Sequence, residues 1–227
     1  MDKFDYKKEY KAFYQPSSKP SIIEIPEMLF IAVDGCGNPN TCSEYKEALE
    51  ILYGLSFTIK MSKMNGTQPE GYFDYVVPPL EGLWYTDDSV FDGRNITDKD
   101  NFRWISMIRQ PDFVTQSIFE NAKDILSRKK PMLNLEKAKL VKMTEGLCIQ
   151  IMHKGSYDSE PQTIEKIKTY MKENGYVEDF SEHRFHHEIY LSDPRRCAAE
   201  RLKTVIRHPI KKSEIPKMNH RTYETGC

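Results

Sequence analysis

The sequence predicts an α+β fold in which a strand-helix-strand-strand unit occurs twice, with pseudo-twofold symmetry and a ligand cleft where the halves meet. Apolar runs suited to buried strands occupy residues 29–33 and 147–152, and a helical pattern follows each of them. The spans 35–54 and 155–175 are both bounded by glycines and have nearly equal lengths. Because about 120 residues separate matching positions, we interpret the pattern as an internal repeat.

The chain of 227 residues is long enough to bury a sizeable core, and we expect one compact domain. Its predicted parts are an N-terminal arm and linker over 1–20, a first repeat over 21–110 with a loop insertion at 86–101, a second repeat over 111–210 with its own leading helix, and a polar tail over 211–227. The loop at 86–101 is acidic and has no periodic pattern, which is typical of a functional or mobile segment.

The composition excludes several classes of protein. The net charge of -1 indicates no basic surface, so we expect no direct binding to nucleic acid or to an anionic membrane. An apolar run of about 20 residues is missing, and the charged N-terminus has no export signal, so a cytoplasmic protein with reduced cysteines is expected. The spacing of Cys36, Cys42 and His153 matches no standard metal site, and no metal is predicted.

The first repeat should begin with the strand at 29–33 and continue into a helix. Residues 41–44 have the spacing of a capping box, and apolar residues then recur with helical period up to Gly54, the expected residue after the helix end. Three strands are predicted to follow, at 56–61, 72–77 and 80–85.

A strand at 103–109 should close the first repeat, and a helix that opens at Pro111 should lead the second. After the strand at 147–152, Asp158 or Ser159 is expected to cap a helix that ends at Gly175. The strand around Glu188 follows, and a closing strand at 202–207 should end before Pro209.

The most informative stretch is HHEIYLSDPRR, which begins at His186. Side chains alternate between the two faces of a strand, so His186, Glu188 and Tyr190 should share one face. A glutamate inside a strand is costly if it is buried without a partner. Glu188 is therefore either solvated on an open face or part of a site, and the groove it lines should be flanked by the counterpart strand at 73–77.

Several strings in the sequence carry a resemblance to a known family. The segments IIEIPEMLFIAVDGCGNPN, PPLEGLWY, IMHKGSYDSEPQTI and HHEIYLSDPRR resemble the GyrI-like small-molecule-binding family, in the right order and over about residues 4–210. The resemblance is closest to the stand-alone members. It implies tandem SHS2 modules with a central cleft. Family relatives are drug-sensing domains of transcription activators, proteins that counteract gyrase poisons, and hydrolases of cyclopropane-bearing DNA-alkylating compounds.

The resemblance implies a catalytic role for three residues. Glu188 matches the acidic residue at the floor of the family's cleft, where it would pair with a cationic drug or act as a base toward water. Tyr157 lies in a turn that matches the family motif G-x-Y-D-x-E, and Tyr190 shares the Glu188 face; either hydroxyl would donate to a ligand oxygen. A solvated strand carboxylate and half-buried structural tyrosines are the alternatives.

Five further residues are predicted to contact the ligand: Trp84, Trp104, Glu81, His186 and Tyr75. The two tryptophans flank the long loop, and flat rings suit flat aromatic ligands, although core packing is the commoner role of tryptophan. Glu81 is expected near the pseudo-twofold axis, His186 shares the Glu188 face, and Tyr75 lies on the counterpart strand.

The predicted function is that of a stand-alone protein that binds flat aromatic or cationic compounds and hydrolyses cyclopropane-bearing toxins without a cofactor. No helix-turn-helix pattern precedes residue 21, which favours a free-standing protein over a repressor. The alternatives are a non-catalytic drug sensor or sequestering module, an effector domain like those of transcription regulators, and an interaction protein that protects gyrase or joins a regulator.

Overall fold

A computed structural model describes residues 3–86, 91, 93 and 99–213. In chain order the strands of this part are β1 (Phe4–Asp5), β2 (Ser21–Ile25), β3 (Met28–Cys36), β4 (Tyr75–Val76), β5 (Leu80–Tyr85), β6 (Arg103–Arg109), β7 (Ala138–Met143), β8 (Gly146–Lys154), β9 (Tyr176–Glu178), β10 (His186–Tyr190) and β11 (Lys203–Lys212). The α-helices are α1 (Tyr6–Glu9), α2 (Lys11–Tyr14), α3 (Ser43–Lys60), α4 (Gln116–Lys129) and α5 (Glu160–Asn174).

A nine-stranded antiparallel sheet organises the described part of the molecule, and β1 and β4 form a separate parallel pair. Its strands lie in the order β2-β8-β11-β10-β5-β6-β3-β7, and β9 pairs with the far end of β11. The strands β5 and β10 form the middle, and β3 and β8, which each lead into a long helix, occupy equivalent positions on either side. The predicted α+β class is confirmed, whereas the duplication of the two halves stays a prediction.

The helices α3 and α5 cover the same face of this sheet. Cross-strand partners point to the same side, and the register joins Val33, Ser106, Gly82, Glu188 and Ile206 across five strands. The helix α3 packs on the β3 side of this face, and α5 packs on the β8 side. The strip over β5 and β10 therefore lies between the two helices.

The other face is covered by the N-terminal arm. Tyr6 and Tyr14 pack there against Ile189 and Val205, which alternate with the residues under the helices. Backbone oxygens of the arm accept hydrogen bonds from buried side chains of the sheet, Gln150 to Ala12 at 2.6 Å and Arg207 to Phe13 at 3.1 Å. The aromatic residues of the arm thus pack on the body of the protein.

The first repeat departs from the prediction within α3. The helix begins at Ser43 after Cys42, without a side-chain cap, and it continues through Gly54 to Lys60, so the predicted strand at 56–61 is wrong. Leu55 and Ile59 extend the buried stripe by another turn, and this packing outweighs the weak helix propensity of glycine. Gly54 permits close contact with α4, because a Cβ there would lie 2.8 Å from a methyl group of Leu126.

Other boundaries are confirmed or extended. The helix α5 ends at Gly175, whose φ of 70° is the left-handed conformation expected after a helix. The closing strand does not stop before Pro209, because β11 runs on to Lys212. Pro209 lies where the neighbour of β11 changes from β10 to β9.

Most of the loop at 86–101 and of the tail at 211–227 lies outside the described residues. In the described part, no helix is both long and apolar enough to cross a membrane.

Candidate functional site

The predicted face of β10 is confirmed. His186, Glu188 and Tyr190 lie on the helix-covered side, in the strip between α3 and α5. His186 Nε2 and Glu188 Oε1 are 3.0 Å apart, which holds the carboxylate in place. Glu188 is 9% exposed, so a small part of this residue is accessible to solvent. This cluster is the candidate site, and we call the strip around it the central cleft.

A second carboxyl group faces Glu188. Glu160 is the first residue of α5, is only 5% exposed, and has a side-chain Oε1 without a hydrogen-bond partner among the described residues. Burial raises the pKa of Glu160 well above its ordinary value, and the neighbouring Glu188 carboxylate raises it further. Burial and the facing Glu188 side chain therefore both favour the protonated form of Glu160.

Aromatic residues with polar atoms surround this carboxyl pair. Trp84 Nε1 donates a hydrogen bond of 2.9 Å to the hydroxyl of Tyr190. The ring of Tyr157 stands perpendicular to that of Tyr190, with centroids 6.0 Å apart. Burial, followed by the charge of Glu188, raises the pKa of Tyr157 to about 12. The same two causes raise the pKa of Tyr190, so both hydroxyls keep their protons and can donate to an anionic oxygen.

A chain of imidazoles fixes the orientation of His186. Its Nδ1 lies 2.8 Å from His208 Nε2, and His208 Nδ1 lies 3.4 Å from a carboxylate oxygen of Glu178 on β9. Both imidazoles are fully buried. Both ring nitrogens of His186 therefore have a neighbour, Glu188 on one side and His208 on the other. These contacts fix the position of the imidazole, and the imidazole in turn fixes the Glu188 carboxylate.

Gly82 provides the space in which Trp84 and Tyr190 meet. It is directly opposite Glu188 in the register of β5 and β10. A Cβ at this position would lie 2.9 Å from Trp84 Nε1 and 3.1 Å from the Tyr190 hydroxyl. A side chain of any size must therefore displace one of the two.

Replacing Gly82 by alanine should break the Trp84–Tyr190 hydrogen bond and lower the unfolding free energy by about 1–3 kcal/mol, as overpacking does. The chain has two tryptophans, so the two indole N–H signals in a ¹H–¹⁵N spectrum can be assigned by single Trp→Phe variants. The Trp84 signal should move more than the Trp104 signal. An unchanged Trp84 signal together with unchanged stability would show that the contact is not formed.

Trp104 lies on the same face of the sheet as Trp84, one strand further from Glu188, and packs under Tyr45 of α3. It is fully buried, opposite Trp84 in the register of β5 and β6. Its ring contacts the edge of Tyr45 at a centroid distance of 5.0 Å and lies over Gly35, where a Cβ would be only 2.4 Å from it. A ligand in the cleft would therefore touch Tyr45 or Trp84, which neighbour Trp104, and not Trp104 itself.

Two predicted ligand residues lie on the opposite face, so they do not share the cleft of Glu188. Glu81 pairs with His187 at 3.0 Å and accepts a hydrogen bond from Tyr14. Tyr75 is fully buried against the N-terminal arm, and β4 pairs with β1 instead of flanking β10. The physical reason is the period of two: residue 81 is one position away from Gly82, which faces Glu188.

The opposite face holds a separate buried charge network. His187 lies between Glu81 and Glu145, with 2.8 Å from its Nδ1 to Glu145, and Arg207 donates to Glu145 at 2.6 Å. Burial opposes ionisation of Glu145, but His187 and Arg207 outweigh it and lower its pKa to about 2. Burial likewise lowers the pKa of His187, but Glu145 and Glu81 raise it to about 9. The network joins β5, β10 and β11 to the turn between β7 and β8, where Glu145 lies. We therefore assign it to the stability of the fold and not to the candidate site.

The sequence interpretation missed two members of the cluster, Glu160 and Tyr45. Glu160 is the last residue of the motif G-x-Y-D-x-E quoted above, and an acidic residue in the first helical turn was the available signal. Tyr45 was assigned to the buried stripe of α3, where it does pack. Its ring also contacts Trp84, at a centroid distance of 6.0 Å, and burial raises the pKa of its hydroxyl.

Donor atoms of Glu160, His186 and Glu188 all lie within 4.8 Å of one another, which is close enough to hold a divalent cation. We assign no metal to them, because Nε2 of the imidazole and Oε1 of the Glu188 carboxylate already contact each other. A groove of about 230 Å³ lies elsewhere, between α3 and α4, and its lining includes Phe57, Met61 and Ile125. We call it the α3–α4 groove; its lining includes none of the residues of the carboxyl cluster.

The fold and the cleft define a small-molecule-binding protein, with an anionic centre among aromatic rings on a helix-covered antiparallel sheet. Comparison with protein families agrees: residues 18–211 match the GyrI-like small molecule binding domain. The chain therefore belongs to the GyrI-like family.

Solved structures extend this assignment. An uncharacterized conserved protein from Listeria innocua is 44% identical, with a TM-score of 0.87 over 92% of this chain and 100% of that chain. A hydrolase from Listeria innocua shares 44% identity over the same proportions, with a TM-score of 0.83. The C-terminal domain of EcmrR, at 14% identity over 86% of this chain and 98% of that chain, has a TM-score of 0.51 and shares the fold alone. No curated protein matches the chain.

Proposed function

We propose that the protein binds flat aromatic, drug-like molecules in the central cleft and hydrolyses those that carry a strained cyclopropane conjugated to a carbonyl group. The observation that carries the proposal is the position of Glu188, which faces the cleft beside two protonated tyrosine hydroxyls. The 44% identity to a Listeria hydrolase supports a hydrolytic reaction.

The reaction adds one water molecule and needs no cofactor. Glu188 accepts a proton from the water as its oxygen bonds to the ring carbon, and one carbon-carbon bond of the cyclopropane breaks. The electron pair of that bond passes through the conjugated system to the carbonyl oxygen, which becomes a phenolate. Tyr157 or Tyr190 donates a hydrogen bond to this oxygen and stabilises its developing charge.

The other cluster residues position these groups. His186 holds Glu188 Oε1 at 3.0 Å and so fixes the orientation of the carboxylate. Trp84 holds Tyr190 through its indole N–H and offers an apolar edge to the arene. Alignment of the ring carbon with the water is the largest contribution that such a site can make without a metal.

The proposal is tested by incubating the purified protein with a cyclopropane-bearing alkylator and following the water adduct by mass spectrometry. The wild type should form the adduct faster than buffer alone, and the product made in H₂¹⁸O should carry one ¹⁸O. Absence of an accelerated adduct would exclude the catalytic form of the proposal.

A binding-only role is the second candidate, and the electrostatics of the cleft favour it for cations. Glu188 has no Lys or Arg partner among the described residues, so a cationic dye would supply the missing charge. Tryptophan quenching by a rhodamine-like dye, without turnover of any alkylator, would support a sensor or sequestering role. A protein partner such as gyrase stays a prediction, which recovery of a topoisomerase subunit in a pull-down would support.

A further inference from the structure

The reaction proposed above leaves one proton unassigned. Glu188 gains a proton from water, whereas the carbonyl oxygen of the ligand gains a full negative charge when the ring opens. A tyrosine whose pKa is about 12 stabilises that charge by hydrogen bonding but is a poor proton source near neutrality. The site therefore needs a stronger acid within reach of the ligand oxygen.

Glu160 has the position that such an acid requires. It is 5% exposed, and its Oε1 has no hydrogen-bond partner among the residues that the structure describes. Its carboxyl group, Glu188 and the imidazole of His186 offer atoms within 4.8 Å of one another. A buried carboxyl oxygen without a partner among the described residues is costly unless another group, such as a ligand in the cleft, satisfies it.

Glu145 shows how this fold stabilises a buried carboxylate, and the surroundings of Glu160 are different. Glu145 contacts Arg207 and His187 and is fully ionised through them. Glu160 has no Lys or Arg within ion-pair distance in the described ranges. It instead faces a second carboxylate, an arrangement in which one of the two groups keeps a proton.

The charged and titratable groups around Glu160 come from three parts of the described chain. Glu188 and His186 face it from β10, Asp158 from the turn before α5, and Lys99 from the end of the long loop. Tyr157 precedes it in the same turn, Tyr190 lies across the cleft, and an ionised Glu160 would raise the pKa of both hydroxyls. Among the described residues, the negative neighbours outnumber the ammonium group of Lys99, which favours the neutral acid.

We infer that Glu160 is the general acid of this site and Glu188 is its general base. The inference rests on the proposed hydrolysis. The O–H bond of Glu160 breaks as the ligand oxygen takes the proton and becomes a phenol. Glu188, which has received a proton from the attacking water, then returns a proton to Glu160 across their contact. The cycle consumes one water molecule and no net proton, so both carboxyl groups return to their starting states.

Substitution of Glu160 by glutamine tests the inference through the shape of the kinetics. E160Q should lower kcat by about 10²–10⁴-fold, the usual contribution of a general acid, with little change in KM. The wild-type rate should fall at high pH as Glu160 loses its proton, and E160Q should lack that decline. The defect of E160Q should also shrink for an alkylator whose phenol product is more acidic, because such an oxygen needs less protonation.

The matched control is Glu173→Gln, the same change on the exposed side of α5, which should behave as the wild type. A defect in E160Q that is the same for every alkylator and keeps the high-pH decline would overturn the acid role. Turnover that is lost in chelator and restored by Mn²⁺ would also overturn it, since the cluster would then hold a metal.

An infrared spectrum tests the same inference without turnover. The wild type at neutral pH should show a protonated carboxyl band that is missing from E160Q and kept in E173Q. Absence of the band from the wild type overturns the acid role even if the alkylator is hydrolysed. If the band is present but no alkylator is hydrolysed, the hydrolytic function fails and the acid role fails with it.

Discussion

Replacing Glu188 by glutamine should abolish most of the hydrolysis, with a loss of about 10²–10⁴-fold in the rate of adduct formation. Glutamine has the shape of glutamate and can still contact His186, so the cleft should keep its geometry. It cannot accept a proton from water, and it no longer offers a negative charge to a cationic ligand. The measurement is the initial rate of water-adduct formation at saturating alkylator.

Two comparisons make this prediction specific to Glu188. The exposed Glu173→Gln variant removes the same charge from the same protein and should keep the wild-type rate. Circular dichroism should show E188Q folded as the wild type. If folded E188Q forms the adduct at the wild-type rate, Glu188 is not the base and the mechanism is wrong.

Replacing Glu145 by glutamine should lower the free energy of unfolding by about 3–5 kcal/mol, because it removes the carboxylate that Arg207 contacts and one of the two that His187 contacts. Arg207 is 2% exposed and His187 is fully buried, and both contact Glu145 directly. Urea denaturation of the two proteins measures the difference. Glu24→Gln, an exposed change on β2, should stay within about 0.5 kcal/mol of the wild type. Equal losses in the two variants would show that the network does not stabilise the fold.

The same network predicts how stability depends on pH. The pKa of His187 is raised from 6.5 to about 9, so its contribution is complete below about pH 6.5 and is lost as the pH rises through 9. The pKa of Glu145 is lowered from 4.5 to about 2, so its contribution is complete above about pH 4.5 and is lost as the pH falls through 2. Denaturant midpoints of the wild type should therefore be highest between these limits.

The E145Q variant is the control for this pH profile. Without Glu145, the largest charge that raises the pKa of His187 is gone, and the decline in stability toward pH 9 should weaken. A wild-type midpoint that does not change between about pH 6 and 10 would show that His187 does not gain its proton on folding.

The strand of Glu188 was predictable because alternation is a local property of any strand. His186, Glu188 and Tyr190 share a face whatever the neighbouring strands are. Which strand lies beside them is decided by contacts distant in sequence. The counterpart at 73–77 was therefore chosen wrongly, and β5 takes that place. The error moved Tyr75 into the cleft and concealed the role of Gly82.

The helix boundaries failed for a different reason. Gly54 has the residue type of a helix end, but its missing side chain serves the packing of α3 on α4. Local propensity is a weak signal where a buried stripe continues, as Leu55 and Ile59 continue it here. Gly175 was predicted correctly, because there the chain does turn into the left-handed conformation.

The second carboxyl group of the cluster could not be found from spacing. Glu160 and Glu188 are separated by a helix and a strand, and their contact arises only because α5 begins beside the middle of β10. Glu81 shows the converse problem. A glutamate in a central strand suggested a ligand, and its actual partner, His187, belongs to the opposite face of the neighbouring strand.

The most direct test of the central claim is a crystal structure of E188Q with an aromatic alkylator bound. The arene should lie in the central cleft between α3 and α5, against Trp84, with its reactive carbon facing residue 188 and its carbonyl oxygen near Glu160 and Tyr157. A ligand bound instead in the α3–α4 groove, against Phe57 and Ile125, would contradict the account of Glu188 as the centre of the site.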